Sequence, residues 1–126
     1  GPHAGLLGEL ARALAGFQQD LAAMGAWGRA VVLVVSEFGR RVYDNASNGT
    51  DHGHGQTVLA LGGSLVGGAY GPAYTGPTLA SNEDVPGAVD FRAVYRNVLR
   101  KHLGVDPAPV FTEAWAGDAE VPLFGP

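Results

Sequence analysis

The sequence contains no cysteine. That removes disulfides, thiolate metal sites and a cysteine nucleophile, while saying nothing of compartment. It is also short of charge: charged residues are 16% of the 126, only one is lysine, and the formal net charge is −4. An acidic balance with so few basic groups argues against a nucleic-acid partner. Long hydrophobic runs are missing too. The longest, Ala30 to Val35, falls far short of the ~20 residues a membrane span needs, so no transmembrane segment is expected. The first residues lack a basic stretch followed by an apolar one, so no signal peptide is read there. They also lack an initiating methionine, and the chain is expected to be a piece of something longer. Glycine has no three-residue period, which excludes collagen.

What is present is apolar and rich in glycine. Hydrophobic residues make up 46% of the chain, too many for a disordered segment. Glycine occupies 20 of 126 positions, more than twice the usual ~7%. The length suits a single domain over residues 1–126 with a real core.

Five segments have a readable local structure. From Gly5 to Gly25, Leu6, Leu7, Leu10, Leu14, Phe17, Leu21 and Met24 recur by threes and fours. This predicts a core-packing amphipathic helix stopped by Gly25. Arg29 to Val35 is β-branched without alternation, as expected of a strand buried on both faces of a parallel sheet. Thr57 to Leu61 reads as a second short strand, inside a loop-like stretch from Gly49 to Gly87. Ser64 to Gly71 reads as a third strand or a hairpin arm, and Pro72 to Pro86 as irregular. Asp90 is placed to cap a last helix with Phe91, Val94, Tyr95, Val98, Leu99 and Leu103 on its apolar stripe and Gly104 at its end. Arg92, Arg96, Arg100 and Lys101 suit either its solvated side or an anion-binding face. In the tail, Val110, Phe111, Trp115 and Phe124 are expected to pin the chain to the body of the fold. Two or three short strands leave an apolar edge, so the chain is expected to be stable only with more polypeptide or as an oligomer.

Three groups carry candidate chemistry. In Gly49-Thr50-Asp51-His52-Gly53-His54-Gly55, an Asp–His pair offers a hard oxygen and an imidazole nitrogen, a set that suits zinc, manganese or iron. The flanking glycines allow close backbone approach to an ion or phosphate. The alternative is an idle surface turn. His54 is a third ligand, a group behind the ligands, or solvent-facing. Glu37 follows a buried strand, where a carboxylate is costly unless it binds metal or pairs with Arg40 or Arg41. Arg40 has the fork that grips phosphate or sulfate. No Gly-x-Ser-x-Gly elbow and no phosphate-binding loop ending in Lys-Ser/Thr occurs. His3 and His102 flank the helices and look incidental.

Taken in order, VVLVVSEFGRR from Val31 to Arg41, Asn45 with GTDHGHG, LGGSLVGGAYG, and VDFRAVYRNVLRKHLG make up a pattern. It resembles the C-terminal part of the domain-of-unknown-function 1501 family, a branch similar to the alkaline-phosphatase and sulfatase superfamily. The likeness runs roughly from Gly5 to Phe111. It implies an α/β fold: a partial parallel sheet flanked by helices, the C-terminal portion of a larger alkaline-phosphatase-like domain. It implies a divalent metal at the strand ends, with Asp51 and His52 as ligands, then Glu37 and His54, and Arg40 as a catalytic or structural residue beside the substrate anion. It also implies export to the periplasm or cell envelope. An Asp-x-His motif of the family falls outside these residues, so only part of a metal site is expected here. The implied function is metal-dependent hydrolysis of a small phosphate or sulfate ester, completed by the remainder of a larger polypeptide or by other subunits. The alternative is a non-catalytic scaffold or binding component of an exported envelope assembly.

Overall fold

The structure is a computed structural model that describes residues 2–72, 84–112 and 120–125. It opens with helix α1, Pro2–Ala23. The helix ends where glycine is needed. Gly25 has φ +66°, its N–H donates to Ala22 O at 3.0 Å, and the Ala26 N–H reaches Leu21 O at 2.8 Å. Those paired bonds satisfy two terminal carbonyls. A single 3-10 turn, Trp27–Arg29, leads into the first strand.

Among the described residues, four short strands follow: β1 Val31–Val34, β2 Gly39–Asp44, β3 Thr50–Gly53 and β4 Leu59–Gly62. They form two separate antiparallel ribbons, β1 with β4 and β2 with β3. The chain is therefore α/β in content, but the expected parallel sheet is corrected. A parallel return needs a crossover, usually helical. Between β1 and β4 the chain instead spends its residues on the β2–β3 hairpin, and β4 comes back alongside β1 in the opposite sense. The residues of β1 are half-buried, not enclosed on both faces. Ser64 to Gly71 forms turns and bends, not a strand. Of the irregular stretch, residues 73–83 lie outside the described residues, as does Trp115.

Helix α2, Phe91–Asn97, continues into a wider turn, Val98–His102, and Gly104, at φ +64°, ends it as expected. The core lies between this helix, the β1–β4 ribbon and residues 120–125. Ala93, Val94, Val121 and Leu123 are its buried members, with Leu33, Ala60, Leu65, Val98 and Phe124 packed around them. Asn97, 3% exposed, ties the tail down. Its Oδ1 accepts from the Leu123 N–H at 3.1 Å, and its Nδ2 donates to Glu120 Oε2 at 3.2 Å. Arg100 holds the other Glu120 oxygen at 3.0 Å. Among the described residues, Arg100 pairs with Glu120 and Arg92 with Asp90. The α1 stripe, expected in a core, is largely in solvent instead, with Leu6 63%, Leu7 64% and Met24 76% exposed.

Asp90 caps α2 as expected. Its side chain accepts from the Arg92 N–H at 2.9 Å and holds the guanidinium at 2.6 Å. The Arg92 hydrogen bonds hold the carboxyl below its ordinary value of 3.8, against the opposing effect of burial. A lowered folded pKa means that the stability from the charged cap is complete above pH 3.8 and fades as pH falls through the lower folded value. Replacing Asp90 with alanine is expected to cost about 1 kcal/mol at neutral pH. The gap between variant and parent should narrow in acid. Thermal melts across that range check it, and a gap that widens on acidification would overturn it.

Candidate functional site

The β2–β3 ribbon carries most of the candidate residues. Arg40 and His52 are direct cross-strand partners, so their side chains leave the same face. Phe38 joins them. Its ring lies 3.9 Å from the His52 ring, and the Arg40 guanidinium carbon sits 5.4 Å from the Phe38 centroid, within cation–π range. Arg40 Nη1 donates to Thr50 O at 2.7 Å. The guanidinium is thus held at two points, and it has no carboxylate partner among the described residues.

Asp51 is next to His52 in β3 and so projects from the opposite face, because strand side chains alternate. It is held by Asn45, whose Nδ2 donates to Asp51 Oδ1 at 2.9 Å. Asn45 also shapes the hairpin loop: its Oδ1 accepts from the N–H groups of Ser47 at 3.0 Å and Gly49 at 3.1 Å. Asn48 takes φ 58°, a left-handed turn conformation that asparagine tolerates. Between the Arg40–His52 and Asp44–Thr50 pairs, β2 spends two more residues than β3, a bulge that disturbs the ladder locally.

Glu37 is exposed, so the burial cost expected of it does not arise. The alternative, an ion pair with Arg40 or Arg41, is not made among the described residues either: Arg41 Nε faces Asp84 Oδ1 at 3.4 Å. His54 follows β3 and lies against Gly87, where a Cβ would come within 2.7 Å of its Nε2. Beside it, the Gly55 N–H donates to Val85 O at 2.7 Å. Among the described residues, no three His, Asp or Glu side chains gather to hold a metal ion. Glu37, Asp51, His52 and His54 therefore do not by themselves fit the divalent ion implied by the resemblance.

What does converge is a groove of about 1530 Å³. Arg40 and His54 both line it, while Glu37, Asp51 and His52 are not in its described lining. Chemically, it offers one fixed guanidinium with free donors for an anion and one imidazole able to give or take a proton. Three contributors were not singled out as site residues from the sequence: Phe38, Asn45 and Gln56, whose side chain lines the groove and bonds the Ser36 main chain at 3.0 and 2.7 Å. Asn45, four residues before a glycine, is readable as turn chemistry. Phe38 and Gln56 acquire their roles only through contacts across the fold and carry no local signal.

No curated protein and no solved structure matches the chain. Residues 1–121 match the family model described as protein of unknown function (DUF1501), and the chain belongs to that family.

Proposed function

We propose that this chain supplies the anion-gripping wall of a hydrolase for phosphate or sulfate esters. The observation that carries the reading is Arg40, fixed by Thr50 and Phe38, lacking a described acid partner, and lining one groove with His54. Attack on phosphorus or sulfur gathers negative charge on the peripheral oxygens, and a preorganised guanidinium stabilises that charge. The His54 imidazole is the group at hand to give a proton to the departing oxygen. The SEFGR and TDHG motifs support the reading through the family they mark, which resembles a branch of the alkaline-phosphatase-like enzymes. In this reading Asp51 meets a zinc, manganese or iron ion only where groups beyond the described residues supply the other ligands, from more of the same polypeptide or from other subunits. Export to the cell envelope belongs to the same proposal.

A second reading, a non-catalytic scaffold or binding component, is favoured by the exposed apolar stripe of α1, which includes Leu6 at 63% and Met24 at 76%. An apolar face of that kind marks an interaction surface. One experiment separates the two. Phosphate and sulfate binding by calorimetry, and hydrolysis of 4-nitrophenyl phosphate and sulfate, are measured for the full chain and for Arg40→Ala. Losing a charge-assisted contact is expected to weaken anion binding about tenfold or more, with a parallel loss of hydrolysis. Unchanged anion binding in the variant would remove Arg40 as the group that grips the anion, and with it the observation that carries this reading. No binding of either anion by the parent chain would favour the scaffold.

A further inference from the structure

We infer that the groove takes an ester whose organic part is an aryl group or an alkyl chain, not a sugar or another polyol. This rests on the anion-binding reading of Arg40 given above. Recognising a polyol requires free hydrogen-bonding groups around it, and the groove has few. Ser36 and Gln56 line it but are committed to each other: the Ser36 N–H donates to Gln56 Oε1 at 3.0 Å, and Gln56 Nε2 donates to Ser36 O at 2.7 Å. The Tyr70 hydroxyl donates to Val66 O at 2.7 Å. Asp90, the one acid in the described lining, is taken up by Arg92 at 2.6 Å.

Apart from Arg40, His54 and Thr57, most of the remaining side chains are apolar, and part of that apolar lining is open to solvent. Phe91 is 54% exposed, Val66 52%, Leu59 46% and Val89 37%. Such surface gains from being covered. Charge complementarity specifies the other end of the occupant, since Arg40 is a cation with no described acid partner and His54 shares its groove. A ligand that satisfies both is anionic at one end and apolar at the other. A polyol phosphate would meet the cation and then lose water from its hydroxyls against aliphatic walls.

The test is calorimetry on the full chain with inorganic phosphate, glycerol phosphate and hexyl phosphate, the last kept below its micelle concentration. Hexyl phosphate is expected to bind at least tenfold more tightly than the other two, about the gain from burying roughly two methylenes. Phe91→Ser and Leu59→Ser, both at exposed positions, should each erase much of that gain while leaving phosphate affinity intact, which also shows that the variants fold. If phosphate binds but hexyl phosphate binds no more tightly than glycerol phosphate, this inference fails and the anion site stands. If none of the three binds, both fail. If hexyl phosphate binds Arg40→Ala as well as the parent chain, the chain is adsorbing to apolar surface, and the inference is overturned.

Discussion

Replacing Gly39 with alanine is expected to dislodge the β2–β3 ribbon, lowering stability by about 3 kcal/mol, in the upper range for single substitutions. Gly39 is buried at the start of β2 and paired with Gly53. A Cβ there would run into the Gly55 carbonyl, and one at Gly53 would come within 2.8 Å of the Arg40 carbonyl carbon. At Gly55 it would meet Val85 O at 2.5 Å. Three backbone segments are thus stacked too closely for side chains, and the obstacles are main-chain atoms that cannot rotate away. Gly53 and Gly55, beside Asp51 and His52, serve approach of backbone to backbone, where the sequence suggested approach to an ion or phosphate. Because Arg40 follows Gly39 directly, anion binding should be lost together with stability. A drop of roughly 10 °C or more in the melting midpoint, with phosphate binding abolished, is the expected result. A melt within two or three degrees of the parent's would show that the chain absorbs the methyl group elsewhere.

Replacing Asn97 with leucine should be nearly as costly, for a different reason. The side chain keeps its approximate volume, but the Leu123 N–H loses the acceptor it holds at 3.1 Å and Glu120 loses a donor at 3.2 Å. A buried polar group left without a partner costs ~1–3 kcal/mol. The consequence spreads, because the tail supplies Val121 and Leu123, two of the four buried hydrophobic core residues among those described. Hydrogen exchange at the Leu123 amide is expected to accelerate first, and the melting midpoint to fall with it. Protection of that amide at the parent level would mean the tail is held by apolar contacts alone.

Locally encoded features were legible in the sequence. The period of Leu7, Leu10, Leu14, Phe17 and Leu21 specifies α1, Gly25 its end, and Asp90 the cap of α2. Each depends on residues within a turn or two of one another, so composition and spacing suffice. The runs around Val31–Val34 and Leu59–Gly62 likewise signal strands. β2 and β3 were not legible. Arg40, Arg41, Asp51 and His52 give no apolar alternation, and glycines at positions 39, 49, 53 and 55 suggest a loop. Their pairing is held by the Asn45 loop and by the close stacking of main chains, which no propensity records.

The candidate site divides along the same line. By itself, the sequence determined which residues have useful chemistry: a guanidinium at Arg40, a carboxylate at Asp51, imidazoles at His52 and His54. It also determined the family, through motifs distributed along most of the chain. Tertiary structure alone decided which of these groups meet. Strand alternation sends Asp51 and His52 to opposite faces, cross-strand register sets Arg40 beside His52, and His54 and Arg40 come to line one groove. Strand direction was decided there too. A short β-branched run fits either sense, and only the path between β1 and β4, a hairpin with no crossover helix, made the ribbon antiparallel.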